Sequence, residues 1–146
     1  MSEMEQKTDV PENQVSEEIL QHVRKKFEQD RFATENGAVV EAVGDGYARC
    51  AMVLSERHMN AVGGVMGGAI FMLADFAFAV ASNWNGTLCV SQTAQITYLS
   101  GCKGTKLTAE AKRIREGRST CYYLIDLKDD RGNHVAQVTS SGFIKR

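Results

Sequence analysis

Apolar residues recur at every fourth position near the N-terminus, with Glu, Lys and Arg between them. This spacing predicts an amphipathic helix over residues 15–29, which buries one stripe and covers an edge or end of the core. Residues 1–14 are polar and acidic and are expected to form a flexible tail, which leaves 15–146 as a single domain. The apolar stripe consists of Val15, Ile19, Val23 and Phe27.

Most of the remaining chain has the composition of β-strands. Residues 37–43 and 47–54 flank Gly44-Asp45-Gly46, a glycine-rich turn that predicts a β-hairpin. Between Val90 and Tyr98 the residue types alternate with a period of two, which predicts a strand whose even-numbered residues share one face. Three further strands are predicted over 107–115, 120–128 and 135–144, joined by turns short enough for antiparallel pairing.

The longest apolar segment lies between these two groups of strands. Every residue from Ala69 to Ala81 except Asp75 is apolar, which predicts a helix enclosed by protein on all sides. A membrane-spanning helix needs about 20 apolar residues, so no membrane segment is expected. Because repeated βαβ units are absent, the predicted class is α+β, with a curved, mainly antiparallel sheet wrapped around one long central helix.

Composition excludes several classes of protein. With 146 residues, 43% of them hydrophobic and 24% charged, the chain is not disordered. Its net charge of −1 gives no general attraction to nucleic acid or to an anionic membrane. No secretory signal, C-x-x-C pair, zinc-ligand spacing or Gly-Lys-Ser/Thr phosphate loop occurs, which favours a cytoplasmic protein with a metal-free, cofactor-free reaction.

Two features of the apolar helix are candidates for chemistry. Asp75 is costly to bury unless it is hydrogen-bonded or lies at a cleft or subunit interface, so it marks either a functional site or an internal polar contact. Gly67 and Gly68 precede the helix and expose its N-terminal N–H groups, either to hold an oxyanion or to make a tight entry into the helix.

Their spacing connects this chemistry to assembly. Gly67 and Asp75 are eight residues apart, which is about 12 Å along a helix. An Asp side chain cannot span this distance. If both groups act on one bond, they come from two copies of the chain, and a two-fold dimer with two equivalent sites is expected.

The loop before the glycines contains two more candidates. The Asn60 amide can donate to a carbonyl oxygen, or it can form a turn. His58 can act as a general base or contact substrate, or it can fix the loop.

At these positions the chain resembles the hotdog-fold thioesterases of the phenylacetate-pathway (PaaI-like) family. The resemblance rests on His58-x-Asn60-x-x-Gly63-x-x-Met66-Gly67-Gly68, on Phe71-x-Leu73-Ala74-Asp75-x-Ala77-Phe78-Ala79-x-Ala81-x-Asn83, and on Ser91 with Ile96-Thr97-Tyr98. It implies the hotdog fold, hydrolysis of acyl-coenzyme A thioesters, which include aromatic ones in the family, and a homodimer that pairs into a dimer of dimers.

The resemblance also assigns roles. It makes Asp75 the carboxylate that activates water or attacks the thioester carbon, and the Gly67 N–H the main oxyanion donor. It places the Asn60 amide near the thioester and lets Ser91 position the water. In the family, Asp and Ser come from the subunit opposite to Asn and Gly.

One position departs from the family pattern, because many relatives have His where this chain has Met66. A methionine can neither transfer a proton nor donate a useful hydrogen bond, so the rate or the substrate preference is expected to differ. Near the predicted turn at residues 116–117, Arg115 and Arg118 are candidate contacts for coenzyme A phosphates, or simply parts of a solvated hairpin.

Two other functions compete with hydrolysis. A non-catalytic module that binds acyl-CoA or fatty acid is favoured by Met66 and opposed by the retained Asp75. A hotdog hydratase or dehydratase would need a His and acid pair, and the apolar helix contains no His.

Overall fold

One six-stranded sheet holds the protein together, in the strand order β1-β2-β4-β5-β6-β3 with every neighbouring pair antiparallel. The computed structural model describes residues 15–146, so the predicted tail lies outside the described residues. The predicted antiparallel sheet and both predicted hairpin groups are confirmed. The strands are β1 (Ala38–Gly44), β2 (Tyr47–Val53), β3 (Leu88–Tyr98), β4 (Lys106–Glu116), β5 (Thr120–Asp129) and β6 (His134–Lys145).

The sheet wraps around the central helix α3 (Gly67–Asn83), two residues longer at each end than the predicted apolar segment. Leu73, Ala74 and Ala77 are completely buried against the strands, because an apolar surface of this kind is stable only inside protein. Within residues 15–146, no helix combines the length and the apolar character that crossing a membrane requires.

Two helices precede the sheet. The predicted amphipathic helix is α1 (Glu17–Phe27), which begins where the Ser16 side chain accepts a hydrogen bond from the Ile19 N–H at 3.3 Å. It buries Val23 and Phe27 against the core. The sequence did not predict α2 (Arg31–Glu35), because five residues are too few to show a helical period.

Strand β3 forms one edge of the sheet and pairs with β6 alone. A bulge between Ser91 and Thr93 interrupts the alternation, so the predicted single face for the even-numbered residues is wrong at Val90 and Gln92, which precede or lie in the bulge. Ser91, rather than Gln92, meets Ser140, with 3.3 Å between the two Oγ atoms.

Candidate active site

The N-terminus of α3 presents free hydrogen-bond donors. Met66 occupies the N-cap position without a capping side-chain hydrogen bond. Within residues 15–146, the backbone N–H groups of Gly67 and Gly68 donate to no acceptor, whereas those of Ala69 and Ile70 donate to the Met66 carbonyl. The two glycine donors therefore combine with the positive end of the helix dipole and can hold a negatively charged oxygen.

Tyr98, at the end of β3, holds this helix terminus in place. Its hydroxyl donates to the Gly67 carbonyl oxygen at 2.8 Å. A Cβ atom added at Gly67 would lie 2.8 Å from the Tyr98 hydroxyl oxygen and 3.0 Å from Cζ. A side chain at position 67 would therefore force Tyr98 or the helix terminus to move, a contact that the sequence motif alone did not reveal.

The loop before α3 is organised by Asn60. Its Oδ1 accepts from the N–H groups of Val62 and Gly64, both at 3.0 Å. The side-chain amide nitrogen of Asn60 has no acceptor within the part of the chain that the structure describes. Asn60 thus forms the turn with its oxygen and keeps its N–H donors for another group, so the two predicted roles are compatible.

His58 is buried, and its ring is bonded to the backbone on both sides. The Ser55 N–H donates to Nδ1 at 3.0 Å, and Nε2 lies 2.6 Å from the Asn36 carbonyl oxygen. With Nδ1 as acceptor, Nε2 carries the proton and donates to Asn36. His58 therefore fixes this loop to the end of α2, and neither ring nitrogen is free to serve as a general base.

Asp75 lies on the face of α3 that the sheet does not cover. It follows Gly68 and Met72 along this open stripe, and its carboxylate makes no hydrogen bond within residues 15–146. The surrounding protein still removes enough water to raise the pKa of the Asp75 carboxyl above its ordinary value, and the negative charge of Asp30 raises it further.

This shift predicts a pH dependence. If ionised Asp75 is required for catalysis, kcat/KM should fall as the pH drops through the raised pKa of the free enzyme, so the acidic limb of its pH profile should lie above the ordinary carboxyl value of 3.8. Asp30→Asn removes the like charge and should move this limb to lower pH. Profiles of both proteins test this, and an unchanged limb in the variant would contradict the influence of Asp30.

Arg115 lies near the end of β4, and Arg118 lies in the turn that joins β4 to β5. Both are exposed, and their guanidinium groups make no hydrogen bond or ion pair within the described residues. Arg115 borders a shallow cleft on the sheet surface with Gln92 and Tyr122. Thr120 and Val90 both pair with Phe143 of β6, so this turn lies at the end of the sheet where β3 begins.

The predicted site residues therefore form two groups within one chain. One group surrounds the N-terminus of α3, and the other lies at the opposite end of the sheet, where α3 ends beside Cys89. Asp75 is halfway along the helix, about 12 Å from Gly67. The first group comprises His58, Asn60, Gly67 and Gly68, and the second comprises Ser91, Arg115 and Arg118.

Comparisons with known proteins give a consistent result. A family model described as the thioesterase superfamily matches residues 62–136. The chain is 30% identical over 123 residues to the acyl-coenzyme A thioesterase PaaI of Escherichia coli, covering 84% of this chain and 88% of the relative. It is 42% identical over 93 residues to a putative esterase of Archaeoglobus fulgidus, a match that spans 63% of this chain and 60% of that relative. The solved structure of the E. coli PaaI protein superposes with a TM-score of 0.81 at 26% identity, covering 88% of this chain and 94% of that one.

Proposed function

Because the chain belongs to the thioesterase superfamily, and its fold is the hotdog fold of the solved PaaI protein, we propose that it hydrolyses acyl-coenzyme A thioesters. Water attacks the thioester carbon, the carbon–sulfur bond breaks, and a carboxylic acid and free coenzyme A are released. The observation that carries this proposal is the uncapped N-terminus of α3, whose two free N–H groups meet no acceptor among residues 15–146.

In the proposed mechanism the Gly67 N–H stabilises the charge that develops on the thioester oxygen. Hydrogen-bond donors that are fixed before the reaction are most effective here, because they need no reorganisation in the transition state. Tyr98 keeps the Gly67 peptide in place from its carbonyl side, and the free amide of Asn60 is a second donor. Gly68 and His58 contribute to the walls of the substrate cleft beside this terminus.

The Asp75 carboxylate either activates water as a general base or attacks the carbonyl carbon itself. Partial desolvation, which raises its pKa, also makes the carboxylate a stronger base or nucleophile once it is ionised. Ser91 is proposed to position the water through its hydroxyl. These two residues cannot act on a thioester at the Gly67 of their own chain, because about 12 Å of helix separates Asp75 from Gly67.

A dimer formed through β3 would bring the two groups of residues into one site. Strand β3 is 11 residues long and, in the part of the chain that the structure describes, pairs with another strand on one side only. Such edges are normally protected in native proteins. When β3 pairs antiparallel with its copy about a two-fold axis, the Ser91 end of one strand lies beside the Tyr98 end of the other. Asp75 and Ser91 of one subunit then approach Gly67 and Asn60 of its partner.

The same two-fold symmetry gives a role to the two arginines at or beside the turn between β4 and β5. Arg115 and Arg118 lie at the Ser91 end of the sheet, so in the dimer they stand near the partner's helix N-terminus. We propose that they bind the phosphate groups of the coenzyme A part of the substrate, whose thioester lies at that terminus.

Pairing of two dimers through the outer sheet surface is part of the same proposal. A cytoplasmic location is also proposed, and the four free thiols support it.

Removing both guanidinium groups should raise KM for acyl-CoA about tenfold to a hundredfold with little change in kcat, because hydrogen bonds to charged groups contribute about 1.5–3 kcal/mol. The double variant Arg115→Ala/Arg118→Ala should hydrolyse an N-acetylcysteamine thioester, which lacks phosphate, as well as the wild type does. Lys25→Ala, on the exposed face of α1, is the control for charge loss. An equal loss on both substrates would contradict phosphate recognition.

The function itself is tested by measuring free thiol released from a panel of acyl-CoAs by the wild-type protein. Turnover that depends on Asp75 is expected for at least one acyl group. Binding of acyl-CoA without any turnover would contradict hydrolysis and would favour the binding module instead, with Met66→His as the variant to examine for restored activity.

A further inference from the structure

An apolar cleft opens directly beside the N-terminus of α3. It has a volume of about 260 Å³ and lies between α2 and the first two turns of α3. Gly68, which carries one of the two free N–H groups, forms part of its wall. The cleft is lined by Phe32, Asn36, Arg57, His58, Met66, Gly68, Ala69 and Met72.

The lining is unusually apolar for an open surface. Phe32 is 74% exposed and Met66 is 53% exposed, although large apolar side chains normally leave water when the fold allows it. They face the same cleft as Met72. Contiguous exposed apolar surface of this kind marks a place where another apolar group binds.

Two polar side chains of the lining, His58 and Arg57, are held by hydrogen bonds to the backbone. His58 is bonded at both ring nitrogens, and the Arg57 guanidinium donates to the Glu35 carbonyl oxygen at 2.6 Å. These contacts tie α2 to the loop before α3, so the cleft has a fixed wall. The Arg57 guanidinium carries the one charge in this lining, and its hydrogen bond to the Glu35 carbonyl holds it against α2.

We propose that this cleft is the acyl-binding pocket and that Phe32 sets the length of acyl chain it accepts. The inference rests on the proposed function: a thioester held at Gly67 directs its coenzyme A part towards the partner's Arg115 and Arg118. Its acyl part then lies on the Gly68 side, where the cleft begins.

The volume limits the substrate class. A methylene group occupies about as much space as a water molecule, roughly 30 Å³, so the cleft of about 260 Å³ holds a chain of about eight carbons. It is smaller than the usual pocket for a drug-sized ligand. The preferred substrates are therefore medium-length acyl-CoAs, and carbons beyond about the eighth remain in water.

A series of straight-chain acyl-CoAs from acetyl to palmitoyl tests this pocket. For the wild type, kcat/KM should rise about fourfold with each buried methylene and stop rising near octanoyl. Phe32→Ala should lower kcat/KM for octanoyl-CoA about tenfold and leave acetyl-CoA within about twofold. Phe32→Trp should move the optimum to a shorter chain. Ile19→Ala, which removes an exposed apolar side chain from α1, should change neither kcat/KM nor its dependence on chain length.

A binding measurement separates failure of the pocket from failure of the hydrolase assignment. Calorimetry with Asp75→Asn and Asp75→Asn/Phe32→Ala compares octanoyl-CoA with acetyl-CoA without turnover, and the preference for octanoyl-CoA should be about tenfold smaller in the second protein. Equal losses for all chain lengths would overturn the pocket, as would dissociation of the subunits in Phe32→Ala by sedimentation, since Phe32 would then lie in an interface. Inactivity of the wild type with intact chain-length preference would overturn hydrolysis alone.

Discussion

Replacing Asp75 by Asn should lower kcat for acyl-CoA hydrolysis by at least about a hundredfold while the protein remains folded. The amide has nearly the same shape as the carboxylate but carries no charge, so it can neither accept a proton from water nor attack the thioester carbon. Because the interaction is made in the transition state, KM should change little. Free-thiol release under saturating substrate measures the effect.

Stability provides the control for this variant. The folded protein disfavours the ionised Asp75, whose pKa is raised by desolvation and by Asp30. At neutral pH this costs folding free energy, and the cost disappears as the pH falls below the ordinary carboxyl range, where both folded and unfolded chains are protonated. Asp75→Asn should therefore increase the free energy of unfolding at neutral pH and leave it unchanged in acid.

Loss of activity together with greater stability is the signature of a functional carboxylate. Glu18→Gln, in the first turn of α1 where a negative charge favours the helix dipole, should leave activity unchanged and should not raise the free energy of unfolding. A destabilised Asp75→Asn protein would instead show that Asp75 makes a structural contact, the alternative reading of a polar residue in an apolar helix.

The sequence predicted the parts of the fold that depend on a long and regular pattern. The apolar segment around Asp75 predicted a core helix, and α3 is that helix. The predicted enclosure on all sides is wrong along the stripe of Gly68, Met72 and Asp75, which the sheet does not cover. The turn Gly44-Asp45-Gly46 gives the β1–β2 hairpin because Gly46 has a φ of 60°, a conformation that glycine adopts without strain.

Features that depend on packing between distant segments could not be predicted from the sequence. The helix α2 is too short to show a period, yet it supplies Phe32 to the cleft. The two possible roles of His58 were separated only by its hydrogen-bond partner Asn36, 22 residues earlier in the chain. The steric restriction at position 67 comes from Tyr98, 31 residues later.

Gly67→Ala should also lower kcat by about a hundredfold, because moving the residue 67 N–H out of position has the effect of losing one oxyanion donor. The added methyl group keeps the N–H but meets the Tyr98 hydroxyl oxygen at 2.8 Å, so the tyrosine or the first turn of α3 must move. Shortening the neighbour in Gly67→Ala/Tyr98→Ala makes room and should recover part of the activity, although Tyr98→Ala alone is harmful. This non-additivity distinguishes a steric displacement from a general loss of structure. Gly101→Ala, whose Cβ meets no atom within 4 Å, is the matched control.

The two inactive variants together test whether each site is shared between subunits. In a mixed dimer of Asp75→Asn and Gly67→Ala chains, one site combines an intact Gly67 with an intact Asp75, and the other site carries both changes. Random assembly makes about half of the dimers mixed, so coexpression should restore about a quarter of the wild-type activity. If each site instead belonged to a single chain, every site would carry one defect and the mixture would stay inactive. Recovery in coexpressed protein, absent when separately purified dimers are combined without subunit exchange, would place Asp75 and Gly67 in different subunits of the same site.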